Sequence, residues 1–117
     1  MSADDQKEFW KRFYEALDAG NADEASALFP DGTEIYLWDG TTFKTKAQFK
    51  AWFCQLRSTS ENAKREIVKF EVDGNFSYVE VVLEATVNGK KFIVSLDHYF
   101  EFEGEQLVEV YVKIRPL

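Results

Sequence analysis

From Val68 to Ile114 the apolar residues fall on every second position, and the alternation breaks only at turns that carry glycine. Val68, Phe70 and Val72 form the first run. Val79, Val81, Leu83, Ala85 and Val87 form the second. Phe92, Val94, Leu96, His98, Phe100 and Phe102 form the third, and Val108, Val110, Val112 and Ile114 the fourth. Period-two alternation predicts strands with one apolar face. The breaks at Asp73-Gly74-Asn75, Asn88-Gly89 and Glu103-Gly104-Glu105 predict hairpins. Antiparallel strands of this kind bury one face on a core and leave the other partly wet. That outer face carries Lys69, Glu71, Tyr78, Glu80, Glu84, Glu109, Tyr111 and Lys113.

The first half of the chain must therefore supply the cover. A helix is predicted over about Ala3–Ala19, capped by Ser2, with Asp4 and Asp5 in its first turn. Phe9, Trp10, Phe13, Tyr14 and Leu17 form its apolar stripe. Gly20 suits the position after its end. Asn21 with Glu24 opens a short second helix to Leu28. Pro30-Asp31-Gly32 is a turn and Thr33–Trp38 a strand, and Asp39-Gly40 favours a two-residue turn into Thr41-Thr42-Phe43. Thr45 with Gln48 starts a third helix whose buried face is Phe49, Trp52, Phe53 and Leu56. Arg57 to Asn62 reads as a polar loop. Helices followed by long hairpins predict an α+β fold, a curved sheet wrapped around the helices like a cup.

A length of 117 residues predicts one domain, 1–117. Aromatic residues make up 16%, including 11 Phe, enough to fill a core and also line an apolar pocket. The net charge of −7 is spread out with no basic stripe, which argues against nucleic acid or an anionic membrane as partner. The lone cysteine, Cys54, allows neither an internal disulfide nor a thiolate cage, and a reduced, cytoplasmic location is expected. It lies off the apolar stripe of its helix with no activating partner, as a spectator thiol does. The acidic start, Met1 to Asp5, is unlike a secretory signal, and no apolar run nears the roughly 20 residues that span a bilayer. One His among scattered carboxylates makes no metal site, and the glycines sit at turns rather than in a phosphate loop, so neither metal nor cofactor is expected.

Three segments, in this order, carry a resemblance: Phe13-Tyr14-Glu15-Ala16-Leu17-Asp18-Ala19-Gly20-Asn21, Leu37-Trp38-Asp39-Gly40-Thr41-Thr42-Phe43 and Asp97-His98-Tyr99-Phe100-Glu101-Phe102. With the element order, they make nearly the whole chain resemble the nuclear-transport-factor-2-like superfamily, which includes ketosteroid isomerases and SnoaL-like polyketide cyclases. The resemblance implies a cone-shaped barrel, with a strongly curved antiparallel or mixed sheet wrapped around three N-terminal helices. It does not fix a function, because one fold hosts many.

Ketosteroid isomerases use an Asp base and an oxyanion hole of one Tyr and one protonated Asp. The resemblance puts the Tyr position at Phe13, with Tyr14 one step on and roughly 100° round the helix. The base position falls on Leu37, with Asp39 two residues further on the turn. The third position falls on Asp97, which would then point inward. Strict alternation instead puts His98 inward and turns Asp97 outward, and counting from Gly104 agrees. A bulge near residues 98–101 would reconcile the two. The inward reading of His98 is preferred, and an inward imidazole has its pKa pushed below 6.5 by burial.

These residues predict a domain binding a small apolar molecule inside the cup, lined by Trp10, Phe13, Tyr14, Leu17, Phe29, Tyr36, Trp38, Phe53, Phe70, Leu83, His98 and Phe100. An acid–base enzyme on the same cup is the alternative, an isomerase, cyclase or dehydratase with His98, Asp97 and Asp39 as proton carriers. A protein-interaction module, for which Trp38-Asp39-Gly40 is the nearest match to the transport factor, is the third reading. Tyr78 and Tyr111 among the charges of the outer face point to a homodimer through that face.

Overall fold

The computed structural model describes residues 1–73 and 76–117. The predicted turn at Asp73-Gly74-Asn75 therefore lies partly outside the described residues. Helix α1 spans Ala3–Asp18 and α2 spans Ala22–Ala27. Strands β1 (Glu34–Tyr36) and β2 (Thr42–Phe43) follow, then α3 (Lys46–Thr59). Strands β3 (Ser60–Asp73), β4 (Phe76–Val87), β5 (Lys90–Glu103) and β6 (Gln106–Pro116) complete the chain.

Each helix starts where its capping chemistry is written. The Ser2 side chain accepts from the Asp5 amide at 3.1 Å, Asn21 from Glu24 at 2.9 Å, and Thr45 from Gln48 at 3.2 Å. Helix α3 takes up the first part of the predicted polar loop, to Thr59, and β3 takes the rest, from Ser60. The hydroxyls of Ser58, Thr59 and Ser60 donate to the carbonyls of Gln55 and Leu56, satisfying acceptors that a helix end otherwise leaves to water.

The six strands form one mixed sheet in the order β2-β1-β6-β5-β4-β3. All pairings are antiparallel except β1 with β6. The sheet is open: β2 and β3 are its two edges, and β1 and β2, at 3 and 2 residues, are too short to close it. This corrects the expected closed barrel. The helix arrangement also differs, since α1 and α2 precede the sheet and α3 follows β2.

The predicted strand to Trp38 stops at Tyr36. Leu37 and Thr41 close a three-residue loop, with the Gly40 amide donating to the Leu37 carbonyl at 3.2 Å and the Leu37 amide to the Thr41 carbonyl at 2.8 Å. Gly40 takes φ +90°, as the last position of such a loop requires. Asn88 (φ 51°) and Gly89 (φ 81°) form the expected two-residue turn between β4 and β5.

Alternation holds without a break along β4 and β5, whose register shows no shift. No bulge interrupts residues 98–101 of β5. It fails on the flanking strands. Ile67 faces Val81 and Lys69 faces Glu80, so Val68 is an extra residue and lies 49% exposed rather than inward. On β6 Leu107 pairs with Phe102 and Glu109 with Glu101, so Val108 is extra and Leu107 takes the buried place. Ile114 is exposed as well. The core lies between the helices and the inner sheet face, where the rings of α1 and α3 meet Leu96, Phe100, Phe102, Val110 and Val112.

Candidate functional site

The inner face of the sheet and helices α1 and α3 border an apolar cavity of about 70 Å³. Helix α1 contributes Trp10, Phe13, Tyr14 and Leu17, and α3 contributes Phe49, Trp52 and Phe53. Phe29 closes one side, with Ile35, Leu37 and Phe43 around the first hairpin. Leu96 and His98 of β5, Leu107, Val110 and Val112 of β6, and Arg65 of β3 complete the wall.

Seven of the residues expected to line the cup therefore do so: Trp10, Phe13, Tyr14, Leu17, Phe29, Phe53 and His98. The others lie elsewhere. Tyr36 is on the outer face, stacked on Tyr111 with ring centres 4.7 Å apart and donating its hydroxyl to Glu34. Trp38 belongs to the loop rather than a strand and is 46% exposed. Phe100 is spent in core packing against Trp10, Phe70 and Phe102. Phe70 and Leu83, both half-buried, pack against that core without reaching the cavity.

Of the three candidate proton carriers, only His98 faces the cavity. Asp39 sits on the exposed loop, where its carboxylate accepts from the Thr41 amide at 2.9 Å, and the hydrogen bonds from Thr41 hold its pKa low. That is turn chemistry. Asp97 points to the outer face, as alternation requires, yet it is only 5% exposed. The Arg115 Nε donates to its Oδ2 at 2.6 Å, Arg115 Nη2 to its Oδ1 at 3.0 Å, and the Tyr78 hydroxyl to Oδ1 at 2.9 Å. Arg115 holds the Asp97 pKa below the usual carboxylate value, against the upward push of burial. Asp97 thus points outward, as strict alternation puts it, but is buried by its own neighbours.

His98 is 7% exposed, and its Nδ1 lies 3.2 Å from the Tyr14 hydroxyl. Burial pushes its pKa down to about 3, helped by the positive charge of Arg65. Burial likewise pushes Tyr14 well above its ordinary value. Near neutral pH both groups are uncharged. Among the described residues His98 has no other hydrogen bond, so Nε2 lacks a protein partner. The indole N–H of Trp10 is also buried without one. An unpaired donor on a cavity wall needs an explanation.

Sequence reasoning missed Arg65. Its side chain is 8% exposed, and its Nη1 donates to Asp18 Oδ1 at 2.7 Å while its backbone amide donates to Asp18 Oδ2 at 2.9 Å. The signal was its shared parity with Ile67, which places both on the inner side of β3. A strand that starts at Val68 leaves it out. Leu37 was noted only as the base position of the isomerase pattern. It lines the cavity, as does Phe13 at the Tyr position, so those two places are apolar here.

Among the described residues no group of three His, Cys, Asp or Glu side chains is placed to hold a metal ion. Among the described residues no helix is long and apolar enough to cross a membrane.

Residues 10–110 match the family model of the SnoaL-like domain. The chain belongs to that family. No curated protein matches it. Solved structures with the same fold include a ketosteroid isomerase-like hypothetical protein from Catenulispora acidiphila in complex with trimethylamine, 19% identical, with a TM-score of 0.82 over 91% of this chain and 84% of that one. A putative SnoaL-like polyketide cyclase from Jannaschia is 13% identical, with a TM-score of 0.83 over 96% and 86%. An LEH-like epoxide hydrolase from M. tuberculosis is 11% identical, with a TM-score of 0.79 over 96% and 84%. At these identities the likeness of this SnoaL-like chain to its neighbours is one of fold.

Proposed function

We propose that this SnoaL-like domain binds a small, mainly apolar molecule in the cavity and anchors one polar atom of it on the Tyr14–His98 pair. The observation that carries this reading is the coincidence, on one apolar wall, of that pair with the unpartnered N–H of Trp10. A few convergent polar groups in an apolar cavity are what a ligand site needs. The size class follows from the volume. About 70 Å³ is well below the roughly 300–1,000 Å³ of sites for drug-sized ligands, so the ligand has a handful of non-hydrogen atoms unless the rings move apart. The neighbour in complex with trimethylamine belongs to this size class.

Binding is favoured over acid–base catalysis by the pKa of His98. A general base works best near the operating pH, and a group held at about 3 is a poor proton acceptor at neutrality. The enzyme reading keeps one support. A neutral imidazole and a phenol are donors, and donors aimed at a developing oxyanion accelerate reactions without taking a proton. The neighbours described as a polyketide cyclase and an epoxide hydrolase are consistent with that alternative.

A graded series of ketones from acetone to cyclohexanone tests the binding reading, followed by NMR of the Trp10 indole and His98 ring. Saturable shifts of both, fading as the ketone outgrows the cavity, are expected. Shifts at neither residue for any ketone would remove the reading. It also includes a homodimer through the outer sheet face, where Tyr99 and Tyr111 are 43% and 47% exposed and Tyr78 lies beside Tyr99. Sedimentation at micromolar concentration is expected to give twice the chain mass of 13.6 kDa. A 13.6 kDa species alone would exclude it.

A further inference from the structure

Arg65 is an unusual residue to find in this wall. A guanidinium carries five N–H donors in a rigid fork and is commonly answered by two parallel bonds. Here a single nitrogen, Nη1, meets Asp18, and among the described residues no other protein acceptor reaches the side chain. The remaining Arg65 donors are not among the buried unpartnered atoms, and the side chain borders open space on two sides, the cavity and a surface groove beside Tyr14, Glu15 and Asp18. Guanidinium donors that border a cavity are free to meet an acceptor inside it.

The charge is felt inside the cavity. Arg65 pulls the Tyr14 pKa down against burial and adds to the lowering at His98. Its counter-charge, Asp18, does not line the cavity, and among the described lining residues there is no Asp or Glu. The hydrogen-bonding groups left over are therefore the Trp10 N–H, the free edge of the Arg65 fork and Nε2 of His98. The first two can only donate. If the Tyr14 hydroxyl donates to Nδ1, Nε2 carries the ring proton and donates as well. A cavity with donors, a cation and no acid does not suit an amine, and it offers a ketone more donors than one oxygen uses.

We propose that the ligand is a small carboxylate, held by Arg65 with the N–H groups of Trp10 and His98 on its oxygens and its hydrocarbon part against the aromatic wall. This rests on reading the cavity as a binding site. The carboxylate fixes the His98 tautomer with Nε2 protonated and accepts the guanidinium bonds that Asp18 leaves open.

Isobutyrate and its neutral isostere isobutyramide decide the matter in the wild-type chain, with NMR shifts at Trp10 and His98 as readout. Isobutyrate is expected to bind at least about tenfold more tightly than isobutyramide. Arg65→Gln is expected to remove that preference. The half-exposed Asp18 tolerates the loss, and the wild-type comparison stands even if the variant does not fold. Equal binding of the two probes overturns the carboxylate proposal and leaves the cavity reading intact. Isobutyrate shifts confined to surface lysines overturn it too, and no binding of either probe or of the ketones overturns both.

Discussion

Asp97 and His98 are consecutive on β5, almost equally buried, and electrostatic opposites. Asp97 faces the outer side with a bidentate arginine and a phenol on its oxygens, and it stays charged. His98 faces the cavity with one phenol on Nδ1 and stays neutral. Burial pushes both toward the uncharged form. What separates them is partners. Arg115 overrides burial at Asp97, whereas at His98 the larger charge effect comes from Arg65, which has the same sign as the proton the ring would take up and outweighs the opposite pull of Asp97. Two adjacent residues thus show that low exposure alone does not set ionisation.

The widest separation between the two is expected in the acid response. Unfolded His98 takes up a proton as pH falls through about 6.5, while the native state refuses it until about 3. Between those values the unfolded chain binds more protons, so stability falls with pH by about 1.4 kcal/mol per unit from this one group. Down to pH about 4, above which the carboxylates contribute little, the loss reaches about 3 kcal/mol. Urea unfolding across this range is expected to show the slope in the wild type and not in His98→Phe. An equal slope in both would mean that His98 is charged in the native state. Asp97 behaves oppositely: its pKa is lowered by folding, so its contribution is full above the ordinary carboxylate range and disappears only as pH falls through its lowered native value.

Removing the cation that rescues Asp97 comes next in size. Breaking a buried pair costs about 3–5 kcal/mol and a surface pair about 1 or less. Arg115 is half-exposed while Asp97 is not, so Arg115→Met is expected to destabilise the fold at pH 7 by less than the loss of a fully buried pair, read by denaturant titration. Asp97→Asn in that background is expected to recover part of the loss. If Arg115→Met is neutral, the outer face is more open to water than its neighbours suggest. The smallest effect is expected from Tyr14→Phe, which leaves Nδ1 of His98 without its partner and costs about 1 kcal/mol. The His98 pKa, followed by NMR, is expected to stay below 6.5, since burial is its main cause.

The same pair shows how far the sequence could be read. Alternation along β4 and β5 places His98 inward and Asp97 outward, and it holds because neither strand carries an extra residue. On β3 and β6 the identical rule misplaces Val68 and Val108, because an inserted residue changes phase without altering composition. The burial of Asp97 was illegible for another reason. Its cover comes from Tyr78 and Arg115, on the two neighbouring strands, and only the pairing register brings them together. Gln6, buried in α1 and accepting from the Ser77 hydroxyl, was invisible for the same reason. The caps were fully legible, since a cap is decided within four residues.

The extra residue at Val68 has a bearing on solubility. Strand β3 is an edge of the sheet and runs for 14 residues, long enough to template another chain. Its pairing with β4 is irregular in two places, between Glu61 and Lys64 and at Val68, and its outer side carries Lys64, Glu66, Lys69 and Glu71. Irregular edges studded with charge are poor templates, because an incoming strand cannot match hydrogen bonds along them without burying ions. Deleting Val68 would straighten the middle of that edge, and the resulting protein is expected to fold yet precipitate by adding strands to itself.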